Sequence, residues 1–108
     1  MFNYKAERSD VLKEVKIFTP EPFTDYRGTM WTHWEWPMDT PQQKISKFTH
    51  SRKNVLRGLH GDDVTWKHIT CVYGAFYLVV VDYREDSPTY LEWISFTLDD
   101  KNCKSVLV

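Results

Sequence analysis

The sequence predicts an all-β fold of the sandwich, jelly-roll or barrel kind, on three observations. Asn54 to His60, Lys67 to Tyr73, Ala75 to Arg84 and Leu91 to Leu98 are rich in Val, Ile, Thr, Tyr, Phe and Trp, the residues that fit a half-buried pleated surface. Turn residues stand singly between these runs, with four glycines and five prolines in all. No stretch sustains a helical period. At 108 residues the chain suits one domain, residues 1–108, around one core.

In chain order, EPFTDYRGTMWTHWEWPMDTP mixes aromatics, turn residues and charges, and Thr29 to Trp36 is expected as an aromatic strand. Asn54 to His60 is the next. Alternation within Lys67 to Tyr73 assigns Lys67, Ile69, Cys71 and Tyr73 to one face and His68, Thr70 and Val72 to the other. Gly74 then permits a tight turn. The following run, AFYLVVVDYR, is apolar on both faces until Asp82, which marks it as the central strand. Repeats, low-complexity tracts and flexible linkers are absent.

Composition excludes some partners. With 14 basic and 15 acidic side chains the net charge is −1, so no overall field draws the protein to nucleic acid or to anionic lipid. The N-terminal MFNYKAERSDVLKEVKIF carries charges every few residues and lacks the apolar run of a signal peptide or membrane helix. Cys71 and Cys103 stand far apart and form no CxxC pair, which fits a reduced, cytoplasmic protein. The 16% aromatic content, including five tryptophans, suits either a compact aromatic core or a cavity for flat ligands.

Chemistry first suggests itself at Arg57-Gly58-Leu59-His60. An arginine offers a fork of donors for phosphate or carboxylate, and histidine is the residue type that exchanges a proton near neutral pH. A surface arginine and a hydrogen-bonded turn histidine would look the same. Residues three apart also point to opposite faces of a regular strand, so a bend near Gly58 must redirect one of them.

Several pieces occur in one order: FTDYRG from Phe23 to Gly28, VLRGLH from Val55 to His60, Lys67, Gly74, VDYR from Val81 to Arg84, and SPTY from Ser87 to Tyr90. Together they resemble the dTDP-4-dehydrorhamnose 3,5-epimerase family, over roughly Phe23 to Leu98. The resemblance implies a cupin, or double-stranded β-helix, jelly roll, usually a homodimer, whose barrel mouth holds a nucleotide-linked 4-keto-6-deoxy sugar. It implies cofactor-free and metal-free chemistry, inverting carbons beside the ketone by removing an acidic proton and returning one from the opposite face. By resemblance His60 is the base and Lys67 stabilises the oxyanion. Arg57 adds positive charge near the sugar or phosphates, Arg27 resembles the family's diphosphate contact donated across the dimer, and Phe23 stacks on the nucleotide base. Lys67 as a surface lysine and Phe23 as a core aromatic are the plainer readings. Asp82 and Arg84 read as a structural pair.

The chain departs from the family pattern at Leu78, where the family carries an aspartate, and at Gly61-Asp62-Asp63, where it usually carries an aromatic and a glutamine. A leucine removes a hydrogen-bond acceptor and leaves a drier pocket. The family's catalytic tyrosine, the aspartate paired with its base and its closing strands fall beyond Val108, so the jelly roll is expected to be incomplete and the apolar stretch Lys104 to Val108 to form an open edge. Two other readings stand beside the epimerase: a non-catalytic cupin that binds a sugar or nucleotide sugar, and a related ketoisomerase. A metal-dependent cupin would need closely spaced histidines, but His60 is followed by Gly61 and Asp62, and His33, His50 and His68 have no ligand-like spacing.

Overall fold

In a computed structural model describing residues 3–108, the chain forms β1 (Tyr4–Arg8), β2 (Lys16–Pro20), β3 (Phe23–Asp25), β4 (Gly28–Met30), β5 (His68–Thr70), β6 (Ala75–Val81), β7 (Trp93–Asp99) and β8 (Ser105–Leu107). No helix occurs among the described residues. The strands make one antiparallel four-stranded sheet in the order β1-β2-β8-β5 and two hairpins, β3-β4 and β6-β7.

Alternation gives the four-stranded sheet two working faces. Ile17, Val106 and Ile69 lie side by side in register, and on their face Val106 packs with Leu12, Val15, Cys71 and Leu98. The β6-β7 hairpin covers this face, with Leu78, Val80, Ile94 and Phe96 against the same cluster. On the opposite face Phe18 and Leu107 pack with Met38, Tyr4 and Trp34, so residues 31–40 cover the sheet from behind. Of the two faces expected for Lys67 to Tyr73, the alternation holds as far as Cys71: Ile69 and Cys71 meet the first cluster, while His68 meets Phe18 on the other side, and Val72 and Tyr73 lie exposed beyond the strand.

The central strand is not the expected one. β8 pairs with both β2 and β5, all three of its residues are buried, and reciprocal backbone hydrogen bonds between Lys67 and Val108 (2.8 and 2.9 Å) extend its ladder. The stretch expected as an open edge is therefore the middle of the sheet. β6 instead pairs only with β7 among the described residues, leaving Tyr77, Val79 and Trp93 exposed on the face turned from the core. Hydrophobicity reports burial; it does not report the number of hydrogen-bonded neighbours, which is why the longer apolar run misled.

Two expected strands fail. Thr29 to Trp36 contributes only the end of β4, because beyond it the chain is held by side chains: the Trp34 indole donates to Thr40 (2.8 Å) and Met38 is buried against Phe18. Asn54 to His60 lies within residues 41–66, which are exposed and without strand, Val55, Leu56 and Leu59 included. A β-propensity is the fit of a side chain to a paired, half-buried surface, and no strand pairs with this segment among the described residues. Gly58 has φ +111°, a conformation that departs from a strand and favours glycine. The three remaining predicted strands form in shortened or shifted versions, as β5, β6 and β7.

Candidate active site

The five residues singled out in the sequence occupy three places. Phe23 opens β3 and Arg27 sits in the two-residue turn between β3 and β4, where Asp25 pairs with Gly28. The Asp25 carboxylate shapes this turn, accepting from the Arg27 backbone N–H (2.8 Å) and from its Nε (3.0 Å) and Nη2 (2.6 Å). Those hydrogen bonds hold the Asp25 carboxyl below the usual carboxylate range. Phe23, Tyr26 and the Arg27 side chain are largely exposed, so the hairpin tip offers an aromatic and a cation to solvent.

Arg57 and His60 lie in the exposed segment. Arg57 Nε donates to Ser51 Oγ (3.0 Å), and His60 follows the turn that Gly58 permits. Two residues on, Asp62 accepts from the backbone N–H groups of Val64 (2.9 Å) and Thr65 (2.6 Å), which hold its carboxyl below the usual carboxylate range. Asp62 is thus a turn residue that leads the chain back to the sheet.

Lys67 stands at the entrance to β5, half-buried, its backbone tied to Val108. Alternation assigns it to the face of Ile69 and Cys71, the face that the β6-β7 hairpin covers. Leu78 of that hairpin packs into the same apolar cluster. Among the described residues no hydrogen bond or ion pair joins any two of Phe23, Arg27, Arg57, His60 and Lys67.

Asp82 and Arg84 form the structural pair expected of them. Asp82 is buried, and its carboxylate accepts from the Arg84 backbone (3.1 Å), Arg84 Nε (2.8 Å) and Nη2 (3.0 Å), Ser87 Oγ (2.6 Å) and Thr89 Oγ1 (2.6 Å). The Arg84 guanidinium beside it keeps this carboxyl far below the usual range. Its backbone also exchanges hydrogen bonds with Glu92 and Leu91, so VDYR and SPTY together build the connection between β6 and β7.

One pair escaped the sequence. His33 and His68 stack with ring centroids 4.1 Å apart, and the Nε2 of His68 shares a 2.7 Å hydrogen bond with Ser105 Oγ. Thirty-odd residues of chain separate them, and no periodicity links a strand histidine to one in an irregular segment. Among the described residues no three His, Cys, Asp or Glu side chains converge as metal ligands.

This architecture superposes on solved cupin-type jelly rolls. A crystal structure of dTDP-4-dehydrorhamnose 3,5-epimerase from Sulfolobus tokodaii matches with a TM-score of 0.85 at 26% identity, over 97% of this chain and 62% of that one. The dTDP-6-deoxy-D-glucose-3,5-epimerase of Legionella pneumophila matches with a TM-score of 0.88 at 24% identity, over 98% of this chain and 60% of that one. The fold is thus an all-β cupin jelly roll. The dTDP-4-dehydrorhamnose 3,5-epimerase profile matches residues 9–108, and the Salmonella typhimurium enzyme of that name is 30% identical over 108 aligned residues, 90% of this chain and 58% of its own length. The chain belongs to the dTDP-4-dehydrorhamnose 3,5-epimerase family. It spans less than two thirds of the length of these relatives.

Proposed function

We propose that the protein takes part in epimerising a dTDP-linked 4-keto-6-deoxy sugar, inverting one or both carbons beside the ketone. The observation that carries this reading is the family match across residues 9–108, which runs through the RGLH motif and Lys67. The Legionella relative was crystallised in complex with dTDP-4-keto-L-rhamnose, which supports the substrate class.

In this reading residues 1–108 are one cupin-like domain. His60 removes the proton α to the ketone, the C–H bond electrons form the enolate that Lys67 stabilises, and a solvent-derived proton returned to the carbon from the opposite face restores the ketone with that carbon inverted. Arg57 adds positive charge beside the sugar or phosphates. Arg27, exposed at the hairpin tip with Phe23, reaches the diphosphate of a site in a second copy, and Phe23 stacks on the base. The ketone acidifies the neighbouring carbon, so the chemistry asks for no cofactor. The two free thiols, Cys71 and Cys103, fit a reducing, cytoplasmic setting, and among the described residues no helix is long and apolar enough to cross a membrane.

The test is solvent deuterium incorporation into dTDP-4-keto-6-deoxyglucose. Exchange by the wild-type chain, abolished in His60→Ala and reduced in Lys67→Ala, is expected; exchange unchanged in His60→Ala would remove the assigned base. Leu78, packed in the apolar cluster where a carboxylate is expected, favours a second reading: a cupin that binds the nucleotide sugar without reacting it. Saturable binding with no deuterium exchange would select that reading.

A further inference from the structure

The stacked histidines join two parts of the fold that share little else. His68 belongs to β5, and His33 belongs to the irregular segment that covers the Phe18 and Leu107 face. Three other contacts hold that segment: Met38 buried beside Phe18, Trp34 half-buried against the same cluster, and Asp39 paired with Lys16 Nζ at 2.8 Å.

The immediate surroundings of the His68 ring disfavour a positive charge on it. Phe18 meets the His68 ring edge-on at 5.5 Å, and Ser105 occupies its Nε2. The space beside the pair, lined by Tyr4, Phe18, Met38, Cys103 and Ser105, is too tight for a water molecule. The titratable and charged groups facing this side from the elements packed here are Tyr4 and Arg8 of β1, Lys16 of β2 with its partner Asp39, Glu35 of the covering segment, Cys103 and Lys104 before β8, and Lys67 before β5. The one charge that bears on His68 is that of His33, and it is unfavourable.

We propose that the His33–His68 stack is an acid-released latch, which clamps residues 31–40 over the Phe18 and Leu107 face when both rings are neutral and lets go when they take up protons. Two imidazolium rings at 4.1 Å repel each other, and their partial burial weakens the screening by solvent. Burial, and then His33, press the affinity of His68 for its proton from the ordinary 6.5 to about 4, and burial lowers that of His33 as well. A histidine depressed in the closed form takes its proton more readily in the open one. The closed form therefore loses ground as pH falls below the ordinary value, and the loss levels off below the folded one.

Hydrogen exchange read by mass spectrometry on the full chain tests the latch. The backbone N–H of Met38 donates to Glu35 and that of Thr40 to Met38, so a peptide spanning residues 31–40 reports closure, and one spanning β6 serves as control. After correction for the intrinsic exchange rate, protection of the 31–40 peptide is expected to fall more than about tenfold between pH 7 and pH 5, with the control unchanged. His33→Phe keeps the ring stack and removes one charge, and should make that fall several times smaller while the burial of His68 keeps part of it. An equal fall in His33→Phe, no fall in the wild type, or a matching fall in the control would each overturn the latch. Proton NMR of the imidazoles gives a second reading, and a His68 titration midpoint at or above the ordinary 6.5 would overturn it too.

Discussion

Replacing Asp82 by Asn keeps the shape of the side chain and removes its charge, so the change isolates what the carboxylate does. Asp82 is 6% exposed and accepts five hydrogen bonds; three of them, from Arg84 Nη2, Ser87 and Thr89, converge on Oδ2. An amide presents one oxygen and one NH2 group, so one of the two oxygen positions becomes a donor facing donors. The Ser87 and Thr89 hydroxyls can rotate and accept; the guanidinium cannot. Breaking a buried charge pair costs about 3–5 kcal/mol where the abandoned partner stays buried. The Arg84 side chain is 55% exposed and regains water, which places the loss at the low end, about 3 kcal/mol.

Urea unfolding followed by tryptophan fluorescence measures this loss as a shift in midpoint at constant slope. The sign of its pH dependence follows from the direction of the shift. A carboxyl depressed in the folded state contributes stability that is present above its unfolded value and is lost as pH falls. The gap between wild type and Asp82→Asn should therefore be full at pH 7 and narrow below about pH 4. A gap under about 1 kcal/mol at pH 7, or one that widens in acid, would refute the assignment of Asp82 as the tie of the β6-β7 connection.

Other outcomes follow from the same structure. Val106→Ala, in the fully buried middle strand, should cost about 2 kcal/mol, whereas Val64→Ala in the exposed segment should stay within about 0.5 kcal/mol, and comparable losses in urea would contradict the strand order. Gly74→Ala should cost about 1 kcal/mol from backbone conformation alone, since φ is +80° and a Cβ would meet nothing within 4 Å; a loss near zero in thermal unfolding would count against that turn. Burial raises both thiols above their ordinary values, with Asp99 and Asp100 adding to the effect, so Cys71 and Cys103 should react with a disulfide reagent at pH 7 many times more slowly in the native protein than in urea. Rapid stoichiometric labelling of the native protein would disprove their burial.

The fold class was legible in the sequence because it rests on composition and alternation, which survive without knowledge of neighbours. Ile69 and Cys71 facing one way and His68 the other needed only the two-residue period of a strand. Strand adjacency is not written in that period. Ser105-Val106-Leu107 is three residues long with a serine at its start, yet it is the middle of the sheet; seven residues of AFYLVVV form one side of a two-stranded hairpin. Asn54 to His60 carried the residues of a strand but has no partner for one among the described residues, and the His33–His68 stack lay beyond any local pattern.

The motifs that place the chain in its family are of two physical kinds, and they bear unequally on activity. VDYR and SPTY are a fold lock: Asp82, Arg84, Ser87 and Thr89 bond to one another and fix the connection between β6 and β7. Any sequence that needs this hairpin connection can keep them, whether it reacts a sugar or only holds one. RGLH is the other kind, since among the described residues Arg57 and His60 are exposed and belong to no strand; Lys67 stands between the kinds, its backbone extending the β8 ladder. Leu78 separates the two: the hairpin built by the lock keeps its place over the apolar cluster while the position expected to be acidic has become part of that cluster. Restoring a carboxylate with Leu78→Asp therefore sets fold against chemistry directly. It must cost stability by charging the core, and only if the site is catalytic should deuterium exchange rise as stability falls.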